Sequence, residues 1–197
     1  MTTAAILAGG RARRLGGQDK GFLLVRDRPI IERQIEVLQA VADRVWIVAN
    51  DEAKYAALGV PVVADLVEGA GSLGGILTAL SIAGPEGALV VACDMPFLTA
   101  PFLAHLLRAG TTADVALPRT ADGLHPRCAC YAQTCADPIR RRLDAGRFRV
   151  LDMVATMHVR EIGGTELSAF DPDGLLLLNV NTPDDLARAR RQDRPTS

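Results

Sequence analysis

The stretch "TAAILAGGRARRLGGQDKG", residues 3–21, joins a short apolar run to a loop with five glycines, three arginines and one lysine. An apolar run without polar alternation is typical of a strand that is buried on both faces, as in a parallel sheet. The loop after such a strand lies at the carboxyl edge of the sheet, where doubly wound folds bind their ligands. The stretch therefore predicts a first strand that leads directly into a basic ligand-binding loop.

Apolar runs and amphipathic stretches alternate along the chain. Four further runs are predicted as strands: residues 44–50, 60–65, 87–94 and 113–119. Three stretches repeat apolar residues at helical spacing: residues 29–42, 73–84 and 99–110. In the last of these, Thr99 is a candidate N-cap and Gly110 a candidate stop. The pattern predicts an α/β fold with a three-layer, doubly wound and mostly parallel sheet.

The pattern changes after residue 120. "GLHPRCACYAQ" predicts a strand outside the regular alternation, "CADPIRRRLDAG" a helix, and "VATMHVREI" a helix end or a strand. The closing "GLLLLNVNTPDDLARARRQ" predicts a buried strand, a turn, and a helix begun by Thr182 and Pro183. With 49% hydrophobic residues and no repeat or linker, the chain is expected to form one domain, residues 1–197, with a frayed tail at residues 192–197.

Composition narrows the function classes. The 22 Lys and Arg residues nearly balance the 23 Asp and Glu residues, which argues against a general nucleic-acid binder. The N-terminus lacks the basic region of a signal peptide, and the longest uncharged run is too short for a membrane span. We therefore expect a cytoplasmic protein that binds neither nucleic acid nor a membrane.

The cysteines are Cys93, Cys128, Cys130 and Cys135. The spacing of the last three is compatible with zinc or an iron–sulfur centre, but no fourth ligand stands at a usual distance. The strand-like alternation of "RCACYAQ" favours buried thiols in a reducing compartment. We expect core cysteines rather than a metal site.

The basic loop is suited to phosphates. Gly9 and Gly10 allow a sharp turn that brings backbone N–H groups against an anion, while Arg14 and Lys20 supply positive charge. The spacing matches neither G-x-G-x-x-G nor a P-loop, so a different nucleotide loop is needed. A solvated basic turn is the alternative, and the position at the sheet edge favours a phosphate site.

Asp94 follows the fourth strand, in "VVACDMPFL", and is expected at the same edge as the basic loop. A lone carboxylate there suits Mg²⁺, which takes its other ligands from water and substrate phosphates. An Asp in such a position also serves as a helix cap or turn former. The nearby basic loop favours the metal ligand.

Polar groups follow the other predicted strands as well. Asp65 precedes a glycine-rich segment in which Gly71 and Gly75 allow the backbone to approach a flat ligand such as a nucleobase. Asn50 follows the second strand in the same way, and a plain connector is the alternative in both places. Farther on, Asn179 and Asn181 lie two apart on one side of a predicted strand, where a ligand or a turn must satisfy their amides.

Four motifs carry a resemblance to a known family through their order and spacing: "LAGGRARRLGGQDKG", "GSLGGILTAL", "CDMPFL" and "NVNTPDDL". In these motifs the chain resembles the molybdenum cofactor guanylyltransferases (MobA) of the nucleotidyltransferase superfamily. The resemblance covers nearly the whole chain, and His125 with Pro126 also fits it. It implies a Rossmann-like, nucleotide-diphospho-sugar-transferase-like fold with a nucleotide-binding half, residues 1–119, and an acceptor half, residues 120–191. It also implies the transfer of GMP from GTP to Mo-molybdopterin, with Mg²⁺ as cofactor, to give molybdopterin guanine dinucleotide and pyrophosphate.

The resemblance and the motifs together assign roles to single residues. The expected GTP site comprises Leu7, Ala8, Gly9, Gly10, Lys20, Asn50, Asp65, Gly71, Gly75 and Asp94. The expected catalytic residues are Lys20, Asp94 and Arg14, and Asp94 is also the expected Mg²⁺ ligand. The expected molybdopterin site comprises Asn179, Asn181 and Arg149. Transient contacts with pterin-supplying proteins and molybdoenzymes are expected as well.

Two departures from the family pattern leave alternatives open. Ser72 stands where the family often has Pro, and the Asn-x-Asn after the second strand is reduced to a single Asn at residues 48–50. Both positions belong to the presumed base pocket, so a molybdopterin cytidylyltransferase or a sugar-phosphate nucleotidyltransferase is one alternative. A non-catalytic carrier of finished cofactor is another, although a carrier needs neither a metal ligand nor a phosphate-binding lysine.

Overall fold

The secondary structure is taken from a computed structural model, which describes residues 1–8, 19–25 and 27–192. The strands are β1 (Thr3–Leu7), β2 (Leu24–Val25), β3 (Arg28–Pro29), β4 (Arg44–Val48), β5 (Val62–Val63), β6 (Ala88–Ala92), β7 (Val115–Thr120), β8 (Gly123–Leu124), β9 (Cys128–Tyr131) and β10 (Val159–Ile162). The helices are α1 (Ile30–Gln39), α2 (Glu52–Tyr55), α3 (Gly71–Ala83), α4 (Ala100–Gly110), α5 (Ala136–Asp144), α6 (Val150–Val154), α7 (Gly164–Ser168) and α8 (Pro183–Gln192). Across the described ranges, no helix has the length and apolar character needed to cross a bilayer.

The main sheet follows the strand order β10-β7-β9-β6-β1-β4-β5, and β8 pairs with the end of β7. Neighbouring strands are parallel, except that β9 runs antiparallel to both β6 and β7, and β8 runs antiparallel to β7. Strands β2 and β3 form a separate hairpin. The predicted mostly parallel α/β sheet is therefore confirmed, and the irregular stretch after residue 120 is where the chain reverses direction.

Strand β1 shows how the layers are built. Ala4 and Ile6 pack into an apolar cluster with α1, α4 and α7, whereas Ala5 and Leu7 pack with α3, α5 and α6. Alternate residues of a strand face opposite sides of the sheet, so both faces of β1 are covered by helices. This arrangement explains why the first apolar run has no polar alternation, and it confirms the three layers.

Residues 174–181 do not form the predicted buried strand. Leu176 and Val180 are buried as expected, but the segment is irregular, with one turn at Leu176 and Leu177. The Asp171 carboxylate accepts a hydrogen bond from the N–H of Leu176 at 2.9 Å, and the N–H of Val180 donates to the Asp94 carbonyl oxygen at 2.8 Å. These partners take the place of the hydrogen bonds to a neighbouring strand. A short apolar run does not by itself distinguish a strand from another buried segment.

Helix α4 begins and ends where the sequence predicts, but neither Thr99 nor Gly110 acts in the way expected of a helix cap. The side chain of Thr99, its N-cap, makes no capping hydrogen bond. Gly110 is the last helical residue and does not adopt a left-handed conformation. A Cβ at Gly110 would lie 2.8 Å from the Cβ of Cys130, so the glycine permits α4 to approach β9 closely.

Helix α8 begins as predicted, at Pro183. The hydroxyl of Thr182 accepts a hydrogen bond from the N–H of Asp185 at 3.1 Å, which is the bond expected of an N-cap. The helix includes residue 192, and residues 193–197 of the predicted tail lie outside the described residues.

Candidate active site

A cavity of about 400 Å³ opens at the carboxyl edge of β1, β4 and β6. Its lining includes most of the predicted nucleotide site: Leu7, Lys20, Asn50, Asp65, Gly71, Gly75 and Asp94. Ala8 follows Leu7 directly, while Gly9, Gly10 and Arg14 lie outside the described residues. Residues far apart in the sequence thus meet at one edge of the sheet, as the strand-end argument predicts.

Asp94 is the buried charge of this cavity, with a side chain only 3% exposed. Its Oδ2 lies 3.0 Å from Nζ of Lys20 and 3.7 Å from Nη1 of Arg127. Nζ of Lys20 also donates to Oδ1 of Asn181. The other carboxylate oxygen, Oδ1, has no hydrogen-bond partner within the described ranges. One carboxylate therefore faces two cations and keeps a buried oxygen free, and such an oxygen is costly without a partner.

The free oxygen of Asp94 fits a divalent cation. Cations such as Mg²⁺ prefer oxygen ligands and are held by one or two carboxylates together with water and substrate phosphates. The described part of the chain contains no group of three or more His, Cys, Asp and Glu side chains that could hold a metal. A cation at this site would therefore bind to Asp94 and to the substrate.

Gln34 holds the turn that carries Asp94. Its Nε2 donates to the carbonyl oxygens of Ala92, at 2.7 Å, and of Met95, at 3.1 Å, and its side chain is buried. Sequence reasoning missed this residue. The signal was present, because Gln34 occupies a position in the apolar stripe of α1, between Ile31 and Ile35, where a polar residue must find a buried partner.

Tyr55 connects the two ends of the segment 9–18. Its hydroxyl lies 3.0 Å from the Ala8 carbonyl oxygen and within hydrogen-bond distance of the Asp19 carboxylate. Asp19 also accepts from Nζ of Lys54 at 2.8 Å, and its Oδ1 caps the short helix that begins at Lys20. Burial, and then the neighbouring Asp19 carboxylate, raise the pKa of Tyr55, so the hydroxyl keeps the proton that it donates. Sequence reasoning gave no signal for Tyr55.

Asn50 and Asp65 are in contact with each other in the lining of the cavity. Oδ1 of Asn50 accepts a hydrogen bond from the N–H of Asp65 at 2.8 Å, so the amide of Asn50 fixes the backbone after β5. Oδ1 of Asp65 is buried and has no hydrogen-bond partner among the residues described. Burial raises the pKa of the Asp65 carboxyl. The side chain therefore offers an unused acceptor to a ligand.

The start of α3 completes this wall. Gly71 and Ser72 line the cavity, and the N-cap Ala70 has no side chain that could satisfy the first N–H groups of the helix. A Cβ at Gly75 would lie 2.9 Å from Cδ2 of Leu7, so this glycine lets α3 approach β1. Gly74, by contrast, packs against Ala70. The positive end of α3 thus faces the cavity.

Asn179 and Asn181 reach the same site from the irregular segment 174–181. Asn181 contacts Lys20, and Oδ1 of Asn179 accepts from Nη2 of Arg127 at 3.4 Å. The strand that was expected to align them is absent, yet both amide oxygens are satisfied by cations beside Asp94. Arg127 was not predicted, although it directly follows the His125-Pro126 pair of the family pattern.

Arg149 is not brought into this cavity. It is exposed, precedes α6 as its N-cap, and is not among the residues that line the site. The four cysteines are buried, free thiols. Burial raises the pKa of Cys93 and of Cys128 to about 12, so both are neutral thiols near pH 7.

A mostly parallel sheet with a lysine and a buried aspartate at its carboxyl edge is the arrangement of a nucleotidyltransferase of the nucleotide-diphospho-sugar-transferase fold. The family model described as the MobA-like NTP transferase domain matches residues 4–159. The chain belongs to this family, and the resemblance based on its motifs is confirmed.

Relatives with this chemistry match almost the full chain. A molybdenum cofactor guanylyltransferase of Desulfosudis oleivorans is 36% identical over 95% of this chain and 93% of its own. A probable molybdenum cofactor guanylyltransferase of Pelotomaculum thermopropionicum is 38% identical over 96% and 92%. The crystal structure of molybdopterin-guanine dinucleotide biosynthesis protein A from Archaeoglobus fulgidus is similar with a TM-score of 0.85, at 30% identity over 97% of this chain and 98% of that one.

Proposed function

We propose that the protein transfers GMP from GTP to Mo-molybdopterin and releases pyrophosphate, forming molybdopterin guanine dinucleotide. The observation that carries the proposal is the buried Asp94, paired with Lys20 and left with one free oxygen, beside a cavity of about 400 Å³. The guanylyltransferases similar to this chain support GTP and molybdopterin as the substrates.

In this proposal the guanine ring lies between β4, Asp65 and the start of α3. Guanine presents two adjacent donors, N1–H and the N2 amine, which one carboxylate can accept together, whereas cytosine presents only its exocyclic amine on that edge. The unpartnered Oδ1 of Asp65 is suited to this role. Asn50 holds the backbone of Asp65 and so acts as a positioning residue.

The triphosphate extends from the base towards Lys20 and Asp94. The backbone of Leu7 to Gly10 and the positive charges of Arg14 and Lys20 bind its phosphates in this proposal. Asp94 would hold Mg²⁺, which offsets negative charge on the phosphates when bound. Lys20 lies 3.0 Å from the same carboxylate, so it is placed beside the phosphates without further rearrangement.

The chemical step is an in-line displacement. A phosphate oxygen of molybdopterin forms a bond to the α-phosphorus of GTP while the bond to the leaving pyrophosphate breaks. The nucleophile is already an anion, so no residue needs to remove a proton from it. What the protein supplies is alignment of the two phosphates and neutralisation of their charge.

We also place this reaction in the cytoplasm, since four free buried thiols are typical of a reducing compartment. Delivery of the acceptor and removal of the product would involve transient contacts with a pterin-supplying protein and with molybdoenzymes. Asn179 and Asn181 mark the acceptor side of the site in this proposal, with Arg149 farther out on the surface.

One incubation tests the proposed function. The purified protein is mixed with Mg²⁺, Mo-molybdopterin and either GTP or CTP, and the dinucleotide and pyrophosphate are quantified under single-turnover conditions. We expect molybdopterin guanine dinucleotide from GTP with one pyrophosphate per product. Preferential use of CTP would identify a cytidylyltransferase, and binding of finished dinucleotide without pyrophosphate release would identify a carrier.

A further inference from the structure

Arg127 lies between two cavities. Besides the nucleotide cavity, a smaller one of about 80 Å³ is lined by Met95, Leu124, His125, Pro126, Arg127, Cys128 and Asn179. Of the residues described, only Arg127 lines both. Burial lowers the pKa of His125, so its imidazole is neutral near pH 7 and Arg127 supplies the positive charge of the smaller cavity. An anion that enters from this side therefore meets Arg127.

Its contacts with the described residues leave most of the donors of Arg127 unused. Its guanidinium lies 3.7 Å from Oδ2 of Asp94 and 3.4 Å from Oδ1 of Asn179. Both distances are long for a charge-assisted hydrogen bond. Arg160, by comparison, holds the two oxygens of Glu166 at 2.7 and 2.9 Å. Arg127 is held loosely where a surface arginine of the same chain is held tightly.

The local charge also favours an anion. Asp94 is the carboxylate that Arg127 approaches, and its Oδ2 is already 3.0 Å from Lys20. Two cations thus share one carboxylate, which leaves a net positive charge at the junction of the cavities. A guanidinium presents two parallel N–H groups that match two oxygens of a phosphate.

From these contacts we propose that Arg127 binds the phosphate monoester of the acceptor and aligns it with the α-phosphorus of the nucleotide. This inference rests on the proposed function and names the residue that receives the acceptor. On binding, the guanidinium exchanges its long contacts with Asp94 and Asn179 for two phosphate oxygens. It neither gains nor loses a proton, and the only bonds that change are the two phosphorus–oxygen bonds of the displacement.

Two substitutions at Arg127 and one control test this role. Arg127→Leu removes the guanidinium, and Arg127→Lys keeps the charge but not the paired donors. Arg119→Leu is the control, because Arg119 has a similar exposure, 49% against 41%, pairs with Glu161 and lines neither of the two cavities. Initial rates are measured with each substrate varied in turn, and binding of Mo-molybdopterin is measured at equilibrium without nucleotide or Mg²⁺.

We expect Arg127→Leu to raise both KM and the dissociation constant for Mo-molybdopterin by about tenfold or more, because a hydrogen bond to a charged group contributes about that factor to affinity. The KM for GTP should change by less than about twofold. Arg127→Lys should lie between this variant and the wild type, and Arg119→Leu should match the wild type. Unchanged acceptor binding in both Arg127 variants, or a rise in KM for GTP alone, overturns the inference. If the wild type forms no dinucleotide, the proposed function fails, and the equilibrium titration still decides the role of Arg127.

Discussion

The two ends of the sheet each carry a cavity, and the larger cavity is not the one to which we assign the chemistry. At the amino end, a cavity of about 530 Å³ has Glu86 and Arg108 as its charged lining residues. The charged residues that line the nucleotide cavity of about 400 Å³, at the carboxyl end, are Lys20, Asp65, Asp94 and Arg127. Asp65 and Asp94 each keep a buried oxygen there that has no partner among the described residues. We therefore assign the functional end from unsatisfied buried acceptors rather than from volume.

The largest expected effect is at Asp94. Asp94→Ala should lower turnover at least about a hundredfold, because it removes the carboxylate that pairs with Lys20 and that we assign to the cation. Pyrophosphate release measures the loss. Asp43→Ala removes an amino-end carboxylate, which accepts from the N–H of Thr2 at 2.7 Å, and should keep wild-type turnover. An active Asp94→Ala protein, or an equally inactive Asp43→Ala protein, would abolish the contrast between the two ends.

At the amino end we expect a loss of stability instead. Gly87 has a φ of +78°, and a Cβ there would lie 2.2 Å from the carbonyl oxygen of Tyr131. Gly87→Ala should lower the free energy of unfolding by about 1–3 kcal/mol from the backbone conformation alone, and by more from the clash. Urea unfolding measures this loss, while kcat per folded molecule should stay unchanged. A fall in kcat without a fall in stability would assign chemistry to the amino end.

Tyr55→Phe probes the connection behind the nucleotide loop. Loss of the hydroxyl frees Ala8 and Asp19 from each other, so KM for GTP should rise about fivefold and stability should fall by about 1 kcal/mol. Tyr131→Phe is the matched control, since its buried hydroxyl donates to the carbonyl oxygen of Pro126. Similar destabilisation with an unchanged KM for GTP is expected of the control. Equal effects on KM in both variants would show that Tyr55 acts only through general stability.

The smallest effect is the pH dependence at Asp65. Burial raises the pKa of its carboxyl, and guanine binding needs the ionised form, so GTP affinity should fall with decreasing pH sooner than for an ordinary aspartate. In the free protein the folded state binds this proton more tightly, so unfolding free energy should fall as pH rises through the raised pKa. GTP and CTP titrations of wild type and Asp65→Asn at several pH values check the affinity, and urea unfolding of both proteins at the same pH values checks the stability. An unchanged preference for GTP in Asp65→Asn removes Asp65 from base recognition.

The sequence predicts the position of a site residue well where that residue comes shortly after a strand. Asp65 and Asp94 lie at the predicted edge because parallel strands end together, and a position after an apolar run can be read without a structure. The alternation of apolar runs was equally informative about the layers of the sheet. The same reasoning failed at residues 174–181, because a short run of consecutive apolar residues shows no periodicity by which a strand could be told from irregular backbone.

The residues that were missed depend on long-range contacts. Tyr55 is found only when the helix after β4 is seen to lie against Ala8 and Asp19. Arg127 precedes β9, and its position at the carboxyl edge requires that this one strand run backwards, which no local pattern specifies. Gln34 is the exception, because a polar residue within the apolar stripe of α1 is visible in the sequence.

The reversed strand β9 also bears on the order in which the fold assembles. Among the described strands, β9 alone links β7 and β10 to the strands of the nucleotide cavity. Its pairing with β7 is local in the chain, Val115 opposite Tyr131, whereas its pairing with β6 closes a longer loop, Ala88 opposite Tyr131. Short loops close with less entropy loss, so we expect the β7–β9 pair to form first and then dock as a unit. Docking of that pair would bring Arg127 to Asp94, and the acceptor side of the site would be completed only in this late step of folding.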